Sequence, residues 1–226
     1  MPKHGKRYRA AATAVEAREY DLDEAIGLLR SQGRAKFDET VEVAMSLNVD
    51  VRQSDQQLRG SISLPKGTGR SVRVVAFAEG QQAEDAEAAG ADVVGADDLV
   101  KRIQDGWQEF DAAVAAPDMM SKVGRLGRVL GPKGLMPSPK SGTVTADVGQ
   151  AVREIKAGRI EYRTDEGANI HAPVGKMSFS DEDLKANVVA FTDHIRASRP
   201  AAAKGAFIKR VTLSSTMGPG VRLAIH

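Results

Sequence analysis

The sequence predicts an α/β and α+β protein of two domains. One is a discontinuous domain resembling a split β-α-β sandwich, and a doubly wound, parallel-sheet α/β domain is inserted into it. Three observations carry this. The last twenty residues alternate Val211 and Leu213, then Val221, Leu223 and Ile225, with polar neighbours, around the turn Ser214–Gly220. They read as two strands that need partners from elsewhere in the chain. Residues 40–51 hold such a partner, with Val41, Val43, Met45, Leu47, Val49 and Val51 alternating against polar or small residues. A period of two over that length puts one face on a core and one towards solvent. Between these ends, short apolar runs at 72–78, 92–94 and 112–116 alternate with helical stretches at 83–89 and 97–107. That order, β-α-β-α-β, is a doubly wound unit with right-handed crossovers.

Taken in order, the chain starts with a basic arm, residues 1–9, followed by a helix signal at Asp21-Leu-Asp-Glu24. Asp21 suits the N-cap and Glu24 sits three residues on. Leu22, Ile26 and Leu29 share one face, and Gly33 is the expected stop. Arg59–Leu64 reads as a shorter strand, and Pro65-Lys-Gly-Thr-Gly69 as a linker. Val148, Val152 and Ile155 form the helix face that finishes the inserted domain, expected to span 68–158. Strands at 159–163 and 169–174 then rejoin the outer domain, 1–67 plus 159–226. Ser180-Asp-Glu-Asp183 caps a helix whose apolar face is Leu184, Val188, Phe191 and Ile195. The two crossings near 65–69 and 157–159 are expected to act as a hinge.

Composition narrows the function. With 42% hydrophobic and 27% charged residues the chain has the balance of a soluble globular protein. It has no cysteine, which excludes disulfide scaffolds, thiolate metal sites and cysteine nucleophiles. The four histidines (4, 171, 194 and 226) form no ligand pair, so neither a metal nor another cofactor is expected. No segment reaches the roughly 20 apolar residues of a membrane helix, and the basic start leads into no apolar run. A cytoplasmic protein is expected. The net charge of +2 hides a division: residues 68–158 carry 11 Lys and Arg against 13 Asp and Glu, and the remainder carries 21 against 17. The excess of cations lies in the outer domain, and basic surfaces attract polyanions by releasing counterions.

Three stretches suit RNA. In the turn Ser214-Ser-Thr-Met-Gly-Pro-Gly220, three hydroxyls can bond phosphate or ribose, and Gly218 permits close approach. A bare Gly-Pro hairpin is the alternative. In Lys36-Phe-Asp-Glu-Thr40 a lysine stands beside a ring that breaks the alternation, which suits a phosphate contact and adjacent stacking. Phe37 could equally plug the end of a sheet. Residues 122–140 hold five cations, with no acid between Asp118 and Asp147, and Gly131–Pro139 is too rich in Gly and Pro for a regular element. Its Gly131-Pro-Lys-Gly lacks the ending of a phosphate-binding loop, and Gly67-Thr-Gly69 precedes a strand instead of following it, so no nucleotide site is supported.

Gly127-Arg-Val-Leu-Gly-Pro-Lys-Gly-Leu-Met-Pro137, Gly158-Arg-Ile-Glu-Tyr-Arg163, His171-Ala-Pro-Val-Gly-Lys176, Lys36-Phe-Asp-Glu-Thr40 and Thr216-Met-Gly-Pro219 together resemble the bacterial large-subunit ribosomal protein L-one family. The likeness runs through nearly the whole chain in the expected order. It implies a non-enzymatic, monomeric constituent of the ribosome that binds large-subunit rRNA in the mobile stalk. It also implies a part in releasing exit-site tRNA and repression of the protein's own operon mRNA. Thr216, Met217 and Gly218 match the family's RNA-contacting triad. Lys36 is expected on phosphate, Phe37 on a sugar or base, and Thr40 in a hydrogen bond. His171, Lys176 and Ser178 are further candidates, though His171 is also open to reading as a satisfied strand residue. Arg210 stands where some relatives carry serine. Lys133 and Lys140 are expected as secondary RNA or tRNA contacts.

Two other readings compete. An enzyme acting through the α/β domain lacks a phosphate loop, a plausible nucleophile constellation and metal ligands. A single-strand RNA binder of the stacking-sheet kind would use Lys204-Gly-Ala-Phe207, but Ala206 stands where that module needs an aromatic.

Overall fold

A computed structural model describes residues 5–32 and 35–224. Gly33, expected to stop the first predicted helix, and Ile225, expected in the last strand, lie outside the described residues, as do His4 and His226. The chain divides into two compact units, Met1–Gly69 with Ile160–His226, and Arg70–Arg159.

The first unit is built on an antiparallel sheet in the order β7-β1-β8-β9, from β7 (Asn169–Lys176), β1 (Thr40–Leu47), β8 (Ile208–Ser215) and β9 (Val221–Leu223). Of the two terminal strands, β8 finds its partner in β1, with Val43 opposite Leu213 and Met45 opposite Val211, and β9 pairs with β8. One face carries Val41, Val43, Met45, Ile170, Ala172, Val174, Val211, Leu213 and Val221, all buried. Helices α2 (Leu22–Ser31) and α8 (Asp181–Ala197) cover it with Ile26 and Leu29, and with Leu184, Val188, Phe191 and Ile195. Ser180 caps α8 as expected, its hydroxyl accepting from the Asp183 N–H at 3.1 Å. Asp21 occupies the N-cap position of α2, but its side chain makes no capping bond. Tyr20 closes the β9 edge: its N–H donates to the Arg222 carbonyl and its carbonyl accepts from Ala224, both at 2.9 Å.

β1 ends at Leu47, short of the alternation that continues to Val51. Beyond it the backbone turns, with the Asp50 carboxylate accepting from Arg52 N and Gln56 accepting from Asp50 N. The strand at Arg59 does not join the main sheet; β2 (Arg59–Ser63) pairs with β6 (Arg159–Arg163) in a sheet of two. From Lys6 the basic arm runs into α1 (Lys6–Thr13), which buries no residue.

The second unit holds a parallel sheet in the order β4-β3-β5, from β3 (Val74–Phe77), β4 (Val93–Gly95) and β5 (Ala112–Ala115). α3 (Gln81–Ala88) and α4 (Asp97–Gln104) provide the crossovers between its strands. Two short helices, α5 (Met120–Val123) and α6 (Gly127–Leu130), plant Val123 and Leu130 in its core ahead of the basic loop, and the 3-10 turn between them, Gly124–Leu126, adds Leu126. α7 (Val148–Lys156) adds Val148, Val152 and Ile155.

Candidate nucleic-acid interface

Seen from the core, the other face of the four-stranded sheet is uncovered. Register places Ala44 between His171 and Thr212, with Arg222 beyond, and Ser46 between Asn169 and Arg210. Small or polar residues occupy its middle, and the cations Arg210 and Arg222 stand exposed on it. Two strand irregularities shape this face. Between Val41 and Glu42 the pairing with β7 slips by one, Val41 opposing Gly175 and Glu42 opposing Pro173. A one-residue slip reverses which face each following side chain takes. Lys176, in phase with the buried Ala172 and Val174, therefore leaves the core and meets Thr40, its ammonium 2.8 Å from Thr40 Oγ1. The second slip, at Ser46 and Leu47, leaves Lys209 and Arg210 exposed in succession.

The predicted site residues of this unit, His171 excepted, converge at the Thr40 end of the sheet. The Thr216 N–H donates to the Thr40 carbonyl at 3.0 Å, and Thr216 Oγ1 accepts from the Thr40 N–H at 3.0 Å. Lys36 and Phe37 sit on the adjoining segment, where a depression of about 290 Å³ is lined by Ala35–Glu39, Met177 and Ser178. Asp38 clamps one side of it, accepting from the Ser178 hydroxyl at 2.7 Å and its N–H at 3.1 Å. Phe37 is 54% exposed and Met217 57%, which makes them two of three large hydrophobic side chains exposed among the described residues. Phe37 therefore does not plug the sheet.

The turn differs from its expected form in two respects. Ser215, one of the three hydroxyls assigned to RNA, is buried and donates to Glu39 at 2.8 Å. At Gly218, a Cβ would stand 2.7 Å from Ser215 Oγ and 2.7 Å from Gln32 Oε1, so the chain's own side chains already crowd it. His171 lies away from this cluster, exposed on β7 opposite Ala44, with Nε2 3.5 Å from Asp165. The Asp165 carboxyl is held below its ordinary value, chiefly by the Asn169 N–H and also by His171. Lys133 and Lys140 belong to the second unit. The Lys133 ammonium donates to Gln108 Oε1, and Lys140 is exposed. Of the other cations in that stretch, Lys122 is paired with Glu79 at 2.7 Å and Asp97 at 2.9 Å, which raises its pKa. Phe207 is buried in the core, so the stacking role of the alternative module is not open to it. Among the described residues no cluster of acids and histidines could hold a metal, and no helix is long and apolar enough to cross a membrane.

A profile of the ribosomal protein L1p/L10e family matches residues 28–219, which takes in both units and every predicted site residue. The chain belongs to the ribosomal protein L1p/L10e family. It is 57% identical over 224 residues to the large ribosomal subunit protein uL1 of Lactobacillus acidophilus, covering 99% of this chain and 97% of that one. The uL1 protein of Lactobacillus delbrueckii subsp. bulgaricus is 55% identical over the same length and shares. This is a family of ribosomal proteins and not of enzymes, which settles that competition. The L1p/L10e match also covers one residue that the sequence reading passed over, Glu39. It is 3% exposed and accepts four hydrogen bonds at the centre of the cluster. The signal was its phase: Glu39 precedes Val41 and Val43 by two and four residues, on the core side of β1.

Proposed function

We propose that the protein is a structural constituent of the large ribosomal subunit that binds large-subunit rRNA directly through the Thr40 end of its four-stranded sheet. One observation carries the reading: two exposed apolar side chains, Phe37 and Met217, stand on neighbouring segments beside Lys36 and Lys176. Apolar surface kept in water beside cations suits a partner offering both phosphates and sugar or base faces. Lys36 takes phosphate, Phe37 and Met217 lie against sugars or bases, and Thr40, Ser178, Thr216 and Gly218 frame the contact. Met217 suits this because its unbranched thioether adapts to irregular surfaces. Arg210 and Arg222 extend the cationic surface along the open face, where His171 is also exposed.

The relatives are named as large-subunit proteins, which supports the same partner here. We extend the reading to the ribosomal stalk, to exit-site tRNA release with Lys133 and Lys140 as secondary contacts, and to repression of the protein's own operon mRNA. Repression of that kind needs no second site: an mRNA imitating the rRNA shape competes for one surface, and wins only when rRNA is saturated. The free protein is read as a cytoplasmic monomer. The test is co-sedimentation with large subunits and a salt titration of binding to a stalk-rRNA transcript. Crosslinks from position 37 or 217 to one rRNA segment are expected. A protein that stays off the large subunit and binds the transcript no better than an unrelated RNA would overturn the reading.

A further inference from the structure

Glu39 is an acid in a place where an acid should hurt. It lies between Lys36-Phe37 and Met217, where RNA is proposed to dock, and a negative charge there repels phosphate. Its surroundings explain its presence. Oε1 accepts from the Ala35 N–H at 2.7 Å and lies 3.5 Å from Arg7 Nη2. Oε2 accepts from Ser215 Oγ at 2.8 Å and from the Met217 N–H at 3.0 Å. Burial pushes its carboxyl up, yet the donors of Ala35, Ser215 and Met217, together with the Arg7 charge, hold it below its ordinary value. A buried carboxylate so fully bonded is rigid and charged.

The two oxygens do different things. Through Oε1 the side chain reaches back to Ala35 and closes a small loop with Lys36 and Phe37 at its tip. Through Oε2 it holds Ser215 and Met217, on a segment more than 170 residues away in sequence. We propose that Glu39 is the positioning residue of the RNA interface: a buried anion that sets Phe37 and Met217 at a fixed spacing before RNA arrives. This rests on the rRNA-binding reading above. Only a carboxylate fits, because all its neighbours are donors and an amide would turn its own N–H₂ against one of them.

The proposal makes a prediction opposite in sign to simple electrostatics. Glu39→Gln removes a negative charge from the binding surface, so Coulomb attraction alone would tighten binding. Loss of the fixed spacing instead weakens it, by about tenfold for a stalk-rRNA transcript. The slope of log K against log salt should stay as in the parent, since Glu39 touches no phosphate. Ser215→Ala removes one of the donors and should give a smaller loss of the same kind. Amide exchange in the free protein separates positioning from general weakening. In Glu39→Gln, exchange should speed at Ala35 and Met217 while Val43, Met45 and Leu213 keep their protection. Equal or tighter RNA binding by the variant, at parental protection of the sheet, overturns the positioning role. Failure of the parent itself to bind the transcript overturns the underlying reading, whereas unaltered exchange at Ala35 and Met217 removes the anchoring on its own.

Discussion

The Lys176 ammonium sits 2.8 Å from the Thr40 hydroxyl, across a rung of the β7–β1 ladder that exists only because β7 slips by one residue between Pro173 and Gly175. Lysine is thereby held in place by a neutral partner. Lys176→Ala should weaken rRNA binding and reduce the magnitude of the salt slope by about 1. Thr40→Val should also weaken binding, because the ammonium loses its tether, but should leave the slope unchanged. Matching slopes for Lys176→Ala and the parent would show that Lys176 meets no phosphate.

Gly218 tests a different kind of contact. Its missing Cβ leaves room for Ser215 Oγ and Gln32 Oε1, each 2.7 Å from where that atom would be. Gln32 has a flexible side chain and can move aside. Ser215 cannot do so without leaving Glu39. Gly218→Ala should therefore lower the stability of the free protein, by about 1–3 kcal/mol, as overpacking does elsewhere. A thermal melt without RNA reads this directly. Parental melting would mean that the turn absorbs the methyl group and that the glycine matters only to a ligand.

Acid should loosen the second unit through its first strand. Asp92 accepts from the Val74 N–H at 2.7 Å, and Asp111 accepts from the Arg73 N–H at 3.1 Å. Those backbone bonds are the largest influence on each carboxyl, and with Lys156, or with Arg70 and Arg73, they hold both below the ordinary value. A depressed carboxyl adds stability that is fully present above the unfolded value, about 3.9 for Asp, and is lost as pH falls through the folded one. Asp92→Asn and Asp111→Asn should each lower the melting temperature at neutral pH and flatten its decline in acid. Melting curves parallel to the parent's from neutral pH down to acid would refute this.

How much of this was readable from the residues alone depended on the scale of the signal. The alternation of Val41, Val43 and Met45 and the short apolar runs from Val74 to Ala115 were legible, because burial on one face or both leaves a periodic mark. The sheet's end at Leu47 was not, since Val49 and Val51 keep the alternation after the pairing strands have gone. Nor was α1, which buries nothing and so has no apolar face to show. At the site, Lys36, Phe37, Thr216 and Met217 were visible as residue types. What joins them was hidden, because Glu39 is distant in sequence from Ser215 and Met217, and local patterns carry no record of such pairings. The slip that turns Lys176 outward was hidden for the same reason.

Two polar side chains, Thr216 in the turn and Gln32 beside Gly218, should respond to apolar replacement with opposite signs. Thr216 Oγ1 accepts from the Thr40 N–H at 3.0 Å, so its hydroxyl serves the fold before it serves any ligand. Thr216→Val keeps the volume, leaves that N–H without its acceptor, and should cost about 0.5–1.5 kcal/mol in the free protein. Gln32, just past the end of α2, has both amide atoms buried with no hydrogen-bond partner among the described residues. A buried amide in that state has lost its water without replacement. Gln32→Leu should therefore stabilise the protein by about 1 kcal/mol, a rise of roughly 2–4 °C in Tm for a chain of this size. The paired melts decide the matter without RNA. A Gln32→Leu protein that melts below the parent would show that its amide does find a partner, and a Thr216→Val protein that melts with the parent would return that hydroxyl to the RNA alone.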